Sequence, residues 1–183
     1  AIFGPCAGGS VYSPALTDFI MMSKENSYMF LTGPKVVKTV TGEDVTEDKL
    51  GGAIVHSTKS GVAHFVGDTE QDVLNMIRRL MSYIPSNNFE EAPYVPTNDP
   101  IDRLEDSLNT IIPESPNTPY DVKEIIHSIV DDGEFMEVHA KWATNLVVGF
   151  ARFNGMSVDF AAALPILTSL SVARRPRYSR SSC

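Results

Sequence analysis

Short apolar blocks separated by polar or glycine-rich stretches make up the beginning of the chain. The apolar residues 1–3 precede a glycine-rich run at 4–9, and residues 10–16 can begin a helix, so a strand, a turn and a helix are predicted in that order. The apolar runs 19–23 and 28–32 are separated by four polar residues, which predicts two short strands.

Helical spacing becomes clear after the second of these strands. A helix is predicted over residues 34–40 because proline is favoured in a first helical turn, and residues 46–50 predict one more turn before two glycines. The strongest helix prediction covers 69–84, where Asp68 and Gln71 have the spacing of a capping box. Its apolar residues share one face at helical spacing: Val73, Ile77, Leu80, Met81 and Ile84.

Periodicity is weak from residue 86 to residue 120, where six prolines occur among several Asn and Asp residues. This composition predicts a long connector between two units. A second helix is predicted over 122–130, with Asp121 as its cap. Its apolar face consists of Val122, Ile125, Ile126 and Ile129.

A β-hairpin is predicted after this helix. Residues 145–153 have the pattern of a mostly buried strand, Asn154-Gly155 is a strong turn signal, and residues 156–158 begin the return strand. The remaining stretch, 159–183, ends in an Arg- and Ser-rich sequence without an apolar face. We predict that it is a divergent, disordered tail, or the product of a reading-frame error.

The charge of the chain is unevenly distributed. Residues 159–183 contain four Arg and one Asp, so the rest contains 15 − 4 = 11 basic and 23 − 1 = 22 acidic residues, a balance of −11. An acidic body argues against nucleic-acid binding, which requires basic side chains to neutralise phosphates. The longest apolar runs are too short to span a bilayer, so no membrane partner is expected.

Cysteine and histidine spacing gives no sign of a structural cross-link. Cys6 and Cys183 make no disulfide framework, and no zinc spacing is present, so no metal and a reducing, cytoplasmic setting are predicted. The chain starts at Ala1 rather than Met and leads at once into the glycine-rich run, from which we expect an internal fragment of a longer protein.

The adjacent glycines Gly8 and Gly9 are the candidate site. At a strand-to-helix turn, backbone N–H groups at the helix start have no partner within the helix, and glycine lets a substrate oxygen approach them closely. Such donors form an oxyanion hole for a thioester oxygen. A tight turn without catalytic function is the plain alternative. Cys6 is a nucleophile in one reading and a buried thiol in the other.

The order and spacing of several blocks resemble one family. The blocks are Gly4 to Phe19, Tyr28 to Pro34, Val36 to Thr46, Leu50 to Ala53, Ser60 to His64, Asp99 to Arg103, and Val147 to Gly155. Together they resemble the carboxyltransferase (beta) subunit of biotin-dependent acetyl-CoA and propionyl-CoA carboxylases. The likeness extends over about residues 1–158 and is not recognisable beyond them.

The resemblance implies an α/β fold of the crotonase-like type, built from ββα units. In this reading residues 1–85 are the C-terminal part of the N-terminal carboxyltransferase domain, 86–120 the connector, and 121–158 the start of a second crotonase-like domain. The divergent tail follows at 159–183. Subunits of this family form hexamers, with active sites at dimer interfaces.

The implied reaction is carboxyl transfer from carboxybiotin to the α-carbon of a short acyl-CoA, propionyl-CoA or acetyl-CoA. Gly8 and Gly9 match the family's N-terminal oxyanion pair, and Ser10 stands where many relatives have Ala. The resemblance also implies biotin carboxylase and biotin carboxyl carrier subunits as partners, with the biotin carried by the latter and none bound covalently by this chain. The 183 residues alone are expected to be inactive.

Three alternatives remain open from the sequence. The first is a carboxyltransferase subunit of a sodium-pumping biotin-dependent decarboxylase. The second is a crotonase-like hydrolase with Cys6 or Ser10 as nucleophile, and the third is a non-catalytic interaction module. His64 is either a pocket residue or a hydrogen-bonded structural histidine.

Overall fold

The computed structural model describes residues 1–115, 118 and 120–163. The chain divides into two compact units. Unit 1 comprises Ala1–Arg79 together with the loop His139–Ala143. Unit 2 comprises Leu80–Val138 and the chain from Thr144 onward.

Unit 1 contains short strands in parallel pairs. Strand β1 pairs with β3, and β2 pairs with β4. The strands are β1 (Pro5–Ala7), β2 (Met21–Ser23), β3 (Tyr28–Phe30) and β4 (Phe65–Gly67). The helices are α1 (Tyr12–Ala15), α2 (Pro34–Thr41), α3 (Glu47–Gly51) and α4 (Ala53–Thr58), and α5 (Glu70–Met81) begins in this unit.

The core of unit 1 is built by the strands and by the segments that flank them. Met22 is fully buried in β2, and Met29 in β3 is 3% exposed, so the methionines serve as core filling. Burial of apolar area is the main favourable term for such short strands. The cluster consists of Ile2, Val11, Ile20, Met22, Met29, Ala53 and Ala63.

Most predicted elements of unit 1 are confirmed, and three details are wrong. Strand β1 lies at Pro5–Ala7, inside the predicted turn, whereas the predicted strand at 1–3 contributes only an isolated bridge between Ile2 and Met22. Helix α4 and strand β4 were not predicted. The cap of α5 is also shifted, because Thr69 and Asp72 exchange hydrogen bonds instead of Asp68 and Gln71.

Unit 2 contains an antiparallel sheet in the order β5–β6–β7. Its elements are α6 (Leu108–Ile111), α7 (Val122–Ile129), a 3₁₀ turn (Asp131–Gly133), β5 (Met136–Val138), β6 (Leu146–Phe153) and β7 (Met156–Ala163). The apolar face of α7 forms one core with the sheet: Val122, Ile126, Val130, Phe135, Val147, Ala151 and Ala162 are buried there. The Asp121 cap is confirmed, since its Oδ1 accepts from the Lys123 N–H at 2.9 Å.

The return strand is longer than the sequence predicts. Strand β7 runs to Ala163 and pairs with β6 along its whole length, so residues 159–163 are strand rather than part of a disordered tail. The prediction for the remaining tail, from residue 164 onward, lies outside the described residues. The division between units falls at Arg79 and Leu80, six residues before the predicted boundary at 85/86.

The turn between β6 and β7 is held by a buried carboxylate. Asn154 and Gly155 both have positive φ, 49° and 74°, as a two-residue hairpin turn of the primed type requires. Their N–H groups donate to the two oxygens of Asp131, at 2.9 and 2.7 Å. Asp131 is 9% exposed, so these bonds are shielded from water. The 3₁₀ turn after α7 therefore fixes the hairpin.

We expect Asp131→Asn to lower the free energy of unfolding by about 1–3 kcal/mol, measured by urea titration. Asparagine offers one accepting oxygen where the carboxylate offers two, so one turn N–H loses its partner. Asp132→Asn is the matched control, because Asp132 is exposed and asparagine tolerates its φ of 52°. Equal losses in the two variants would contradict this account.

Candidate functional site

The glycine-rich turn leads from β1 into a helical segment. Strand β1 pairs in parallel with β3, in the register Cys6↔Met29 and Ala7↔Phe30. A 3₁₀ helix, Gly8–Val11, follows at once and continues into α1. A strand followed by a helix is found as predicted, but the strand occupies the predicted turn and the helix starts two residues before the predicted Ser10.

The Gly8 amide is already engaged by the protein. Its N–H donates to the Leu31 carbonyl oxygen at 3.0 Å, which extends the β1–β3 pairing by one residue. Gly8 has a φ of +61°, in the left-handed region that glycine adopts without a steric penalty. This amide holds the turn against β3 and does not face a ligand in this arrangement.

The Gly9 amide differs from its neighbour. Its N–H donates no hydrogen bond to any residue in the described part of the chain. Gly9 is exposed, and a Cβ built on it would meet no atom within 4 Å. Of the predicted pair, Gly9 therefore offers an N–H donor that is unpaired among the described residues and lies in open space. The role predicted for Gly8 as a second donor conflicts with its hydrogen bond to Leu31.

Cys6 and Ser10 contact each other across the turn. The Ser10 hydroxyl donates to the Ala7 carbonyl oxygen at 2.7 Å, and the Cys6 Sγ lies 3.5 Å from the Ser10 carbonyl oxygen. Cys6 is half-buried and packs against the core of unit 1. Among the described residues, neither side chain is hydrogen-bonded to a histidine or a carboxylate. Such a base is what activates a side-chain nucleophile, and the described residues bond none to Cys6 or Ser10.

His64 is hydrogen-bonded and packed within unit 1, as the structural alternative predicts. Its Nδ1 accepts from the Ile20 N–H at 3.1 Å, and its ring contacts Phe19 edge to face. Burial lowers the pKa of His64, with the neighbouring His139 as the second cause. Sequence reasoning assigned no role to His139, because nothing in the linear order places it beside His64.

The described part of the chain contains neither a cluster of metal-ligating side chains nor a membrane-spanning helix. No group of three or more His, Cys, Asp or Glu side chains there is arranged to hold a metal ion. None of the described helices combines the length and the apolar character that crossing a bilayer requires.

Comparison with known proteins identifies a family. The model of the carboxyl transferase domain matches residues 1–167. The match therefore continues beyond residue 158, where the sequence resemblance was expected to end.

Several relatives are about half identical to the chain. The methylmalonyl-CoA decarboxylase subunit alpha of Veillonella parvula is 54% identical over 164 residues, which are 90% of this chain and 32% of the relative. The propionyl-CoA carboxylase carboxyltransferase subunit of Haloferax mediterranei is 52% identical over 165 residues, with the same coverage. The chain thus spans about a third of the length of the relatives that it matches.

A solved structure shows the same architecture. The crystal structure of transcarboxylase 12S, described as a hexamer with hydrolysed methylmalonyl-CoA bound, superimposes with a TM-score of 0.84 at 49% identity. The match covers 89% of this chain and 32% of the other. The predicted α/β, crotonase-like carboxyltransferase fold is thereby confirmed.

The contrast between Gly8 and Gly9 can be tested by measuring the stability of the protein with alanine at each position. Gly8→Ala forces a Cβ into the left-handed region, and we expect a loss of about 1–2 kcal/mol in the free energy of unfolding. Gly9→Ala is the matched control, since its Cβ meets open space, and its effect is expected to stay within about 0.5 kcal/mol. Urea titration measures both, and a larger loss in Gly9→Ala would refute the assignment.

Proposed function

Because this chain belongs to the carboxyl transferase domain family, we propose that it is part of a carboxyltransferase subunit acting on a short acyl-CoA. The reaction is carboxyl transfer from carboxybiotin to the α-carbon of propionyl-CoA or acetyl-CoA. The observation that carries this proposal at the site is the exposed, unpaired N–H of Gly9 at the start of a helical segment. The family relationship supplies the reaction class.

Gly9 stabilises the negative charge that develops on the thioester oxygen. When the α-carbon loses its proton, charge moves onto that oxygen, and a fixed N–H donor costs no reorganisation at that moment. The glycine leaves room for the oxygen to approach, because no atom lies within 4 Å of a Cβ position there. Gly8 contributes indirectly, since its bond to Leu31 fixes the orientation of the next peptide.

Biotin is a delivered co-substrate in this proposal. Carboxybiotin supplies both the carboxyl group and the base that removes the α-proton. We assign none of the described residues to carboxybiotin. In this proposal the biotin is carried by a separate carrier subunit, and the remainder of the protein completes its site. The partners are then biotin carboxylase and biotin carboxyl carrier subunits, and the hexamer named for transcarboxylase 12S supports a homo-oligomer. A cytoplasmic location belongs to the same proposal.

A decarboxylase is the second candidate. The relative from Veillonella parvula is named as a subunit of methylmalonyl-CoA decarboxylase and is 54% identical. That reaction moves the carboxyl group in the opposite direction, from an acyl-CoA to biotin, and needs the same oxyanion donor. The direction follows from the partner subunits, so co-purification with a membrane decarboxylase would favour this candidate over the carboxylase.

The activity test uses the full-length protein that contains this chain, assembled with its partner subunits. We expect Gly9→Ala to lower kcat/KM for propionyl-CoA carboxylation by roughly 100-fold, as the loss of one oxyanion donor does. The added methyl group blocks the approach to the donor. Labelled bicarbonate and ATP supply the carboxyl group, and incorporation into acyl-CoA is counted.

Ser10→Ala is the matched control for this variant. The hydroxyl of Ser10 bonds within the turn, and relatives with Ala at this position are expected, so activity should stay within about twofold. Normal activity of a folded Gly9→Ala protein would remove the oxyanion role from this turn. Activity of the isolated 183-residue chain would overturn the expectation that the site needs the rest of the protein.

Replacement of Cys6 separates transfer from hydrolysis. A carboxyltransferase needs no side-chain nucleophile, so Cys6→Ala in the full-length protein should retain carboxyl transfer within about threefold. A hydrolase that uses this thiol would lose its thioesterase activity completely. The hydrolase activity is measured as release of CoA from propionyl-CoA in the absence of bicarbonate. If the unaltered protein releases CoA in this assay and Cys6→Ala abolishes the release, the protein is a hydrolase and the carboxyltransferase proposal is wrong.

A further inference from the structure

The loop His139–Ala143 is part of unit 1 and packs on the segment around Gly61. Its first residue is bonded to the core, since the His139 N–H donates to the His64 carbonyl oxygen at 3.0 Å. The loop is also closed on itself by the Trp142 N–H, which donates to the His139 carbonyl oxygen at 2.8 Å. The Trp142 ring covers Gly61 so closely that a Cβ there would lie 2.7 Å from Cε2.

The side chains of His64 and His139 form the centre of this contact. Their ring centroids are 4.3 Å apart and their planes are inclined by 36°. The Nδ1 of His139 is buried and has no hydrogen-bond partner among the residues that the structure describes. A proton on that nitrogen would be a buried N–H without an acceptor, which is costly, and protons on both rings would repel each other.

Neutral imidazoles fit this environment better than charged ones. Burial lowers the pKa of His64, and His139 adds to the effect, while a hydrogen bond to the Val62 backbone opposes it. Burial also lowers the pKa of His139, opposed by a bond to the Ala63 backbone. No carboxylate among the described residues contributes to the pKa shift of either ring, and Asp68 is paired with Lys24 and interacts with Lys141 of the loop.

We propose that the stacked pair His64–His139 is a proton-controlled latch, which holds the loop His139–Ala143 on Gly61 at neutral pH and releases it in acid. The first proton meets a buried His139 nitrogen without an acceptor or a His64 nitrogen that already accepts from Ile20, and a second proton adds repulsion between the rings, so protonation favours the released loop. Trp142 leaves Gly61 when the loop is released.

The direction of the pH dependence follows from these constraints. At a pH above 6.5, the ordinary pKa of histidine, both rings are neutral whether the loop is docked or released, so docking is at full strength. As the pH falls below 6.5, the released loop binds protons first, and docking weakens. The weakening stops below the lowered pKa values of the docked state, where both states are protonated.

Trp142 is the single tryptophan of the chain, which makes its fluorescence a direct probe of the loop. The expected result is a red shift of its emission with a midpoint below pH 6.5, while the far-UV circular dichroism of the same sample stays unchanged. His139→Asn removes one titrating ring, and asparagine tolerates the left-handed φ of 56° at this position. Because burial lowers the pKa of His64 independently of His139, the red shift should be lost or its midpoint should move in this variant.

A second pair of variants completes the test. His64→Gln keeps an acceptor for the Ile20 N–H and should also lose the red shift or move its midpoint. His127→Gln is the control, because His127 belongs to unit 2 and bonds to Gly133, so its curve should match that of the unaltered chain. A red shift that persists in both variants of the pair, or that coincides with loss of circular dichroism, would overturn the latch.

Discussion

The hydrogen bond from the Gly8 N–H to the Leu31 carbonyl is the constraint on which the candidate site depends. It continues the β1–β3 pairing by one residue and ends it at a left-handed glycine, from which the chain turns directly into a helical segment. The next amide, that of Gly9, is in an exposed residue and has no partner in the described residues. A donor held in this way by its neighbour is preorganised, which is what oxyanion stabilisation requires.

In both units, hydrogen bonds to backbone groups hold turns and loops in place. In unit 2 the buried Asp131 accepts from both amides of the β6–β7 turn, and the hairpin would otherwise hold two left-handed residues without support. In unit 1 the His64 backbone and ring are both bonded, to His139 and Ile20 respectively. The Gly9 amide, by contrast, is exposed and has no partner in the described residues, as the first amides of a helix have none within the helix itself.

Elements with strong local signals were predictable. Helices α2 and α7 and the Asn154-Gly155 hairpin were confirmed, since apolar periodicity, a proline, a cap or a turn dipeptide specifies each of them within a few residues. The three-residue strands β4 and β5 were not predicted, whereas β2 and β3, which are equally short, lie within predicted apolar runs. Strands β4 and β5 carry too little periodicity of their own, and partners distant in sequence define them.

The family, the class of fold and the position of the glycine turn were predictable from the sequence, because these depend on the residue types and the order of blocks along the chain. The bond from the Gly8 amide to Leu31, and the lack of a partner for the Gly9 amide among the described residues, were visible only in the fold, since a backbone carbonyl gives no signal in the sequence. The same holds for the contact between His64 and His139, which are brought together across 75 residues by folding alone. Turns, caps and short helices depend on residues that are neighbours in the sequence. The hydrogen-bond partner of a backbone group, in contrast, depends on which distant segments pack together.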